Sequence, residues 1–371
     1  MAKISTAKES RNGPSIAVVG VGALGSEVCR QLAENSFLNV VVIDPDPLEK
    51  RNVPGSLIYQ NVISTNGNKA LDQFKVNLLC DEINRRYGLH WSAIAEEIAD
   101  VGLGLLTGID LILSCTDSTL ARVETTRAAH ILGVPMIDGG VMSKGIAAGR
   151  VSWFTANRNA ACYLCGISEI RRAMVLTYAA SASLGCSVGD EEFPAMTASF
   201  RTVQETATAM LLLLLQRQRG RVPIERSFAV RLQDDLQEQW SQFFLDLPRS
   251  VTCPWHDNEP EKWSPILEDK TIKEILTDDN FLIQLPWPQC LTAYCRVCGT
   301  DSKPFRRLAW VRRKAICTHC GTKGSSEPVE VIDTLLRTDQ RAKLMLWQLG
   351  LPKQHLYLLR RSFVPTKRKD F

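Results

Sequence analysis

A glycine-rich turn between a strand-like run and a helical stretch constrains the fold of this chain more than any other feature. The run Ser15 to Val19 predicts a buried strand, and Gly20-Val21-Gly22-Ala23-Leu24-Gly25 follows it and opens a helix. Gly20 allows a tight turn, Gly22 lets a phosphate approach the backbone, and Gly25 lets the helix pack on the sheet. The helix N-terminus offers amide groups to an anion. The turn therefore predicts a nucleotide site, with a glycine turn that binds nothing as the alternative.

Strand and helix patterns then alternate along the first half of the chain. Buried strands are predicted at Asn39 to Ile43, Ile109 to Ser114 and Val134 to Asp138, and helices at Lys69 to Tyr87 and Leu120 to Leu132. This alternation is typical of an α/β fold with a doubly wound, mostly parallel sheet. We therefore expect a Rossmann-like domain.

Two Cys-x-x-Cys pairs near the end of the chain have the spacing of metal ligands. The four residues are Cys295, Cys298, Cys317 and Cys320. A glycine follows the second cysteine of each pair and lets the backbone turn toward sulfur. Four thiolates at this spacing suit a tetrahedral Zn²⁺ and predict a zinc ribbon, with free thiols as the alternative. Cys290 and His319 are less well spaced substitutes as ligands.

Length and composition predict two domains. The 371 residues exceed the usual size of a single domain, and a passage rich in proline, tryptophan and acidic residues begins at Pro254. We place the first domain at 1–258, with a polar crossover loop at about 166–195, and the zinc-ribbon domain at 259–371.

Net charge, apolar runs and cysteine content predict which partners and which cellular location suit the chain. The formal net charge is only +4, which does not call for a nucleic-acid partner. The apolar run Ala207 to Leu215 is too short to span a bilayer, so we expect no membrane contact. Twelve cysteines, largely at metal spacing, together with no recognisable signal peptide, predict a reducing, cytoplasmic location.

Further motifs follow the glycine turn in order. Asp44 comes 19 residues after Gly25, at the end of the second predicted strand, where a carboxylate can hold ribose hydroxyls. The glycine turn and Asp44 would also fit a nicotinamide-dependent oxidoreductase. The later motifs are Asp44-Pro-Asp46-x-Leu48-x-x-x-Asn52, a helix with Lys75, and Cys115-Thr116-Asp117-Ser118 with Arg122.

Together these motifs resemble the ubiquitin-activating-enzyme-like family, the ThiF/MoeB/HesA-type adenylyltransferases, from Ser15 to about His256. The resemblance implies transfer of AMP from ATP to the C-terminal glycine carboxylate of a ubiquitin-like protein. It also implies a homodimer or heterodimer. The nucleotide-binding residues that it implies are Gly20, Gly22, Gly25, Asp44, Asp46, Asn52, Lys75 and Asp117.

Two of these residues carry the expected chemistry. Lys75 is expected to neutralise phosphate charge, with Lys69 as the alternative, because a carboxylate attacking phosphorus needs the anionic oxygens neutralised. Asp117 follows a strand and is expected to be the catalytic, Mg²⁺-binding acid, since open α/β sheets bind ligands at their carboxyl ends. The competing interpretations are a solvated lysine and an aspartate that caps the next helix.

The chain departs from the family pattern at one phosphate-binding position. The pattern places an arginine three residues after Asn52, where this sequence has Gly55. Arg51 or a partner chain could supply the charge, and Arg11 is the candidate for the arginine that many members offer to a neighbouring subunit. The second function that we consider is therefore a catalytically reduced scaffold of an activating complex.

The resemblance also implies a second zinc site and a candidate nucleophile. The zinc ligands would be Cys162, Cys165, Cys253 and His256. Cys186, in the crossover loop, would accept the acyl group as a thioester and pass it to a conjugating enzyme; a buried structural cysteine is the alternative. Cys29, Cys80 and Cys115 are expected in the core. We interpret the basic, aromatic tail, Trp310 to Lys314 and Leu359 to Phe363, as a recruitment surface for the ubiquitin-like protein or the conjugating enzyme, with nucleic-acid binding as the alternative.

Overall fold

The computed structural model describes residues 13–142, 148–155, 157, 159–176, 200–219, 227–233, 240–245, 247–255, 263–265, 269–352 and 354–361. The chain divides into two compact units. The first takes its described residues from 13–98, 106–175 and 200–255, and the second from 99–105, 176 and 263–361.

A mixed sheet forms the centre of the first unit. Its strands are β1 (Ser15–Val19), β2 (Asn39–Ile43), β3 (Ser92–Ile94), β4 (Leu111–Ser114), β5 (Met136–Met142), β6 (Ala148–Phe154), β7 (Ser227–Gln233) and β8 (Trp240–Leu245). They lie in the order β3-β2-β1-β4-β5-β6-β7-β8. The pairs from β3 to β5 are parallel and those from β5 to β8 antiparallel. The α/β, Rossmann-like prediction is confirmed.

The structure describes six α-helices in the first unit. They are α1 (Ala23–Glu34), α2 (Leu57–Asn66), α3 (Lys75–Tyr87), α4 (Thr119–Leu132), α5 (Glu169–Leu176) and α6 (Phe200–Gln218). The core includes β-branched residues of the central strands, such as Val18 and Val42, with Leu32, Leu79 and Met210 from the helices. Among the described helices, none is both long and apolar enough to cross a membrane.

One predicted helix begins later than its sequence pattern indicated. The prediction started at Lys69, but Gly67–Ala70 forms a separate 3-10 turn and α3 begins at Lys75. Asp72, between the two, has a φ of 66°, a left-handed conformation that a continuous helix cannot contain. Lys75 therefore stands at the first position of a helix.

The second unit is built on a long antiparallel pairing. Its elements are β9 (Trp263–Pro265), α7 (Ile272–Ile275), β10 (Phe281–Cys295), β11 (Asp301–Ser302), β12 (Arg306–Arg307), α8 (Leu308–Lys314), β13 (Ser326–Leu336) and β14 (Leu356–Arg361). Strand β10 pairs with β11, β12, β13 and β14, and β14 also pairs with β9. Ile283, Leu335, Leu349 and Tyr357 belong to its buried core.

A short segment between β3 and β4, residues 99–105, belongs to this second unit. Gly104 N donates to Gln354 O at 2.8 Å, and Leu103 N donates to His355 Nδ1 at 3.4 Å. Arg307 forms two hydrogen bonds with Asp100, at 2.9 and 3.0 Å. The proposed boundary near residue 258 stays a prediction, and it did not foresee this early segment.

Candidate nucleotide site and cysteine clusters

The three loop glycines have different structural requirements. Gly20 has a φ of +85°, and a Cβ built there would lie 3.0 Å from the carbonyl carbon of Cys115. A Cβ on Gly25 would lie 1.9 Å from Gly20 O. Gly22 is the N-cap residue of helix α1. A Cβ on Gly22 would meet nothing within 4 Å. The protein itself therefore requires Gly20 and Gly25, whereas the space beside Gly22 is open to a ligand.

The loop between the first two glycines is held by hydrogen bonds to both backbone polar groups of Val21. Asp44 Oδ2 accepts a hydrogen bond from Val21 N at 2.8 Å, and Tyr59 donates its hydroxyl to Val21 O at 2.7 Å. Tyr59 is fully buried on α2, and this burial raises the pKa of its hydroxyl well above the ordinary value. Sequence reasoning missed Tyr59, because its only local signal is an apolar helix face.

Asp44, Asp46 and Lys75 come together beside this loop. Asp44 Oδ1 accepts from Asp46 N at 2.9 Å. Lys75 Nζ lies 3.2 Å from Asp46 Oδ2 and 3.9 Å from Asp44 Oδ1. Burial raises the pKa of Asp44, and the nearby Lys75 ammonium partly offsets this increase. Lys69, the alternative, is exposed on the separate 3-10 turn.

Asn52 and its neighbours form a local turn. Asn52 Oδ1 accepts from Glu49 N at 2.9 Å, at the end of the 3-10 turn Lys50–Asn52. Arg51 Nε lies 2.6 Å from Glu49 Oε2, and its side chain is 71% exposed. Arg51 is thus engaged with a neighbouring carboxylate in this structure, and position 55 carries no side chain to replace it.

Asp117 is exposed at the carboxyl end of β4. The following helix α4 is capped by Ser118, whose Oγ accepts from Ala121 N at 3.1 Å. The competing interpretation of Asp117 as the helix cap is therefore wrong. Beside it, Thr116 is buried, and its Oγ1 has no hydrogen-bond partner among the described residues.

A buried ionic cluster joins β4, β5 and β6 near the same edge. Asp138 is fully buried and accepts from Ser114 Oγ at 2.9 Å, from Arg122, and from Arg150 at 2.7 Å. Arg122, part of the motif that follows β4, is thus committed to a buried carboxylate. Sequence reasoning did not single out Asp138 or Arg150.

The four cysteines of the second unit converge. Their sulfur atoms all lie within 4.8 Å of one another, and Cys295 Sγ to Cys320 Sγ and Cys298 Sγ to Cys317 Sγ are both 3.6 Å. Zn–S bonds of about 2.3 Å in a tetrahedron place sulfurs about 3.8 Å apart, so this donor set fits zinc.

The two halves of this cluster have the same backbone design. Gly299 and Gly321, with φ of 73° and 72°, donate to the carbonyls of Cys295 and Cys317 at 2.8 and 2.9 Å. The side chain of Ser325 lies 3.1 Å from Cys295 Sγ, and this hydrogen bond is the main cause that lowers the pKa of Cys295 to about 6. A lowered thiol pKa favours the thiolate, the form that binds metal.

Three cysteines converge in the first unit. Cys162 Sγ lies 3.9 Å from Cys165 Sγ and 3.7 Å from Cys253 Sγ, and all three sulfurs lie within 4.8 Å. The fourth predicted ligand, His256, lies outside the described residues. The three thiols suit the same metal.

The cysteines that the structure describes outside the two clusters are buried. Cys29, Cys80 and Cys115 are buried, and burial raises the pKa of each thiol, in agreement with the expected core positions. Cys290 is also buried, with its pKa raised to about 11 by burial, and is not part of the described cluster. Cys186 and Arg11 lie outside the described residues.

Comparison with known proteins assigns this arrangement to a family. A model of the ThiF family matches residues 6–369. The chain belongs to the ThiF family. The prediction made from the motifs is confirmed at this level.

Curated members similar to this ThiF chain include several activating enzymes. Ubiquitin-like modifier-activating enzyme 5 of Oryza sativa subsp. japonica is 25% identical over 158 residues, 41% of this chain and 37% of the relative. SUMO-activating enzyme subunit uba-2 of Caenorhabditis elegans is 26% identical, covering 40% of this chain and 24% of the relative. Molybdopterin-synthase adenylyltransferase of Salmonella typhimurium is 23% identical, covering 43% and 60%. The matched regions thus cover between about a quarter and three fifths of the length of each relative.

Among solved structures, E. coli MccB with ATP is similar at 14% sequence identity and a TM-score of 0.47. The match covers 66% of this chain and 67% of MccB.

Proposed function

We propose that this ThiF-family chain activates the C-terminal glycine of a ubiquitin-like protein by ATP-dependent adenylation. The observation that carries the proposal is the open backbone at Gly22, next to Val21, whose N–H and C=O are held by Asp44 and Tyr59. Relatives named as activating enzymes for ubiquitin-like modifiers and SUMO favour this substrate class.

Nucleotide binding would use groups that already lie together. The first amides of α1 follow Gly22 directly in the chain and would donate to phosphate oxygens. Asp44 keeps a further lone pair on each oxygen for the ribose hydroxyls. Lys75, beside Asp44 at 3.9 Å, supplies positive charge near the phosphates. Asp46 and Asn52 complete the nucleotide-binding set that we propose.

The chemical step is a displacement at phosphorus. A carboxylate oxygen of the terminal glycine forms a bond to the α-phosphorus, and the bond from that phosphorus to the β-phosphate bridging oxygen breaks. Pyrophosphate leaves with the electron pair, and an acyl-adenylate remains. Bound Mg²⁺ would neutralise charge on the phosphates, and exposed Asp117 is the residue that we propose to hold it. Lys75 stabilises the charge that develops in the transition state.

Acyl transfer to sulfur would follow. The thiolate of Cys186 attacks the acyl carbon of the adenylate, and AMP leaves with the electron pair of the broken carbon–oxygen bond. A conjugating enzyme would then receive the acyl group. The two cysteine clusters would each hold a structural Zn²⁺, with His256 completing the site in the first unit. We further propose that the chain works as a homodimer or heterodimer.

Nucleotide choice is the first test of the proposal. Titration calorimetry of zinc-loaded protein is expected to show binding of Mg-ATP that is weakened in Lys75→Ala. NAD, titrated separately, is expected not to bind. Tight binding of NAD alone would support the oxidoreductase alternative instead.

The substrate is tested by exchange of labelled pyrophosphate into ATP. A ubiquitin-like protein ending in glycine is expected to support exchange, and the same protein lacking that glycine is the matched control. Equal exchange with both proteins would contradict recognition of the terminal glycine.

A catalytically reduced scaffold is the second candidate function. Gly55 favours it, because the family pattern places a phosphate-binding arginine there, and Arg51 is engaged with Glu49. Loss of such an arginine typically costs orders of magnitude in transfer rate. A chain that binds partners but supports no pyrophosphate exchange would fit this function.

A further inference from the structure

Two arginines share one buried carboxylate at the carboxyl end of β4. Asp138 Oδ2 accepts a hydrogen bond from Arg122 and another from Arg150 Nη2 at 2.7 Å. Asp138 Oδ1 accepts from Ser114 Oγ at 2.9 Å. Without Arg150, each oxygen of this buried carboxylate would still have a donor. Arg150 is therefore the member of the cluster that the carboxylate needs least.

The strand register places Arg150 beyond the end of β4. Ser114, the last residue of β4, pairs with Asp138. Arg150 on β6 pairs with Gly140, two residues further along β5. Two residues of strand span about 7 Å. Arg150 thus lies at the same edge of the sheet as Asp117, which follows Ser114 by three residues.

Gly140 leaves the space in which the two guanidinium groups meet the sheet. A Cβ built on Gly140 would lie 3.0 Å from Arg122 Nη2. Asp138 and Gly140 share one face of β5, because alternate residues of a strand do. Arg150, directly opposite Gly140, has its side chain on that same face.

The guanidinium of Arg150 is held in place and is still accessible. Its side chain is 40% exposed, compared with 4% for Arg122. Its Cζ lies over the ring of Tyr163, 5.7 Å from the centroid, and this cation–π contact needs no hydrogen bond. Among the described residues, Asp138 accepts its one hydrogen bond, through Nη2. A planar fork that is fixed and partly accessible suits binding of a carboxylate.

The order of the strands gives the two sides of Asp117 different roles. Gly22 follows β1 and Asp44 follows β2, so the nucleotide groups proposed above lie on one side of β4. Strands β5 and β6, with Arg150, lie on the other side. The reactant that must approach bound ATP is the carboxylate of the protein substrate. An arginine on the far side of Asp117 is therefore suited to receive it.

We propose that Arg150 is a substrate-binding residue that holds the C-terminal carboxylate of the protein substrate for attack on the α-phosphorus. One carboxylate oxygen accepts from the guanidinium while the other attacks, and fixing this orientation reduces the entropic cost of the reaction. The inference rests on the proposed adenylation function and adds the residue that recognises the acyl reactant.

Comparison of a C-terminal carboxylate with a C-terminal carboxamide tests this role. A ubiquitin-like protein ending in glycine, and the same protein with that glycine amidated, are titrated by calorimetry into the zinc-loaded protein. Saturating Mg²⁺ and the α,β-methylene analogue of ATP prevent the reaction. Wild type is expected to bind the acid about tenfold or more tightly than the amide. In Arg150→Ala the ratio should fall to about one, with Mg-ATP affinity unchanged.

Further variants distinguish charge from structure. Arg150→Lys should retain part of the preference for the acid, since it keeps a point charge but loses the planar fork. Arg150→Gln is uncharged but keeps an N–H donor, and its loss of the preference decides the question if the alanine variant does not fold. Arg85→Ala removes an exposed arginine paired with Glu82 on α3 and, as the matched control, should bind as wild type does. Zinc content and thermal unfolding check each variant.

A wild-type preference for the acid in Arg150→Ala would overturn the role of Arg150 and leave the proposed function standing. Equal weakening of acid and amide would show a structural role and overturn it too. Weaker Mg-ATP binding with the preference retained would assign Arg150 to the phosphates instead. Equal affinity of wild type for acid and amide would also contradict carboxylate recognition. Failure of wild type to bind Mg-ATP would remove the adenylation function together with the inference.

Discussion

The same substitution at two loop glycines should separate binding from stability. Gly22→Ala is expected to leave the fold intact and abolish most ATP affinity. Gly25→Ala is expected to destabilise the fold. The reason is that the added methyl group has different surroundings at the two positions. At Gly22 it would meet nothing within 4 Å, whereas at Gly25 it would lie 1.9 Å from the carbonyl oxygen of Gly20.

The magnitudes follow from these distances. At Gly25 the backbone must move by about 1 Å or more to relieve the contact, so we expect the free energy of unfolding to fall by at least about 1–3 kcal/mol. At Gly22, alanine is a poorer helix cap by up to about 1 kcal/mol, while the less flexible unfolded chain contributes about 0.4–1 kcal/mol of stability. These two effects nearly cancel. A methyl group in the phosphate path should still cost one charge-assisted hydrogen bond, roughly tenfold in affinity or more.

Guanidinium unfolding gives the stabilities, and titration calorimetry with Mg-ATP gives the affinities. Wild-type affinity in Gly22→Ala would refute the assignment of the open space beside Gly22 to a phosphate. Wild-type stability in Gly25→Ala would show that the glycine loop relaxes more easily than its contacts indicate.

Three further perturbations test the hydrogen bond from Tyr59 to the glycine loop, the two cysteine clusters and the buried His355. Tyr59→Phe leaves Val21 O without its buried donor and should lower the free energy of unfolding by about 1–3 kcal/mol in urea titrations; an unchanged midpoint would mean that water replaces the hydroxyl. Metal analysis should find two zinc ions per chain in the wild type and one in Cys253→Ser. The control Cys290→Ser should still contain two. A wild-type content of one zinc ion would contradict the metal site proposed for the first unit. Burial, with a smaller contribution from a nearby arginine, lowers the pKa of His355 to about 3, so its contribution to stability is complete above the unfolded pKa of about 6.5 and declines as pH falls toward 3. Between pH 7 and pH 5, wild type should therefore lose about 2 kcal/mol more than His355→Asn in guanidinium unfolding, and equal losses would contradict the burial of a neutral imidazole.

The sequence predicted the parts of the site that depend on neighbouring residues. The strand, glycine loop and helix from Ser15 to Glu34 follow from local pattern, and the ribbon cysteines follow from spacing within each pair. Asp44 could be anticipated because parallel strands end at the same edge. These features need no knowledge of distant packing.

Contacts between distant parts of the chain could not be predicted in this way. Tyr59 reaches Val21 across 38 positions, and Cys253 meets Cys162 across 91. The first looks like a core residue in sequence, and the second was suggested only by the family resemblance. The start of α3 was missed because the left-handed Asp72 carries no clear sequence signal.

The early segment 99–105 of the second unit has a consequence for synthesis on the ribosome. Its partner His355 lies 252 positions after Leu103. At about 5–20 residues per second, this separation corresponds to roughly 10–50 s of translation. Strands β3 and β4 on either side of the segment can emerge and pair with their neighbours during that interval. The loop between them can complete its contacts only after His355 and the adjoining strand β14 have been made, so the second unit folds later than these strands.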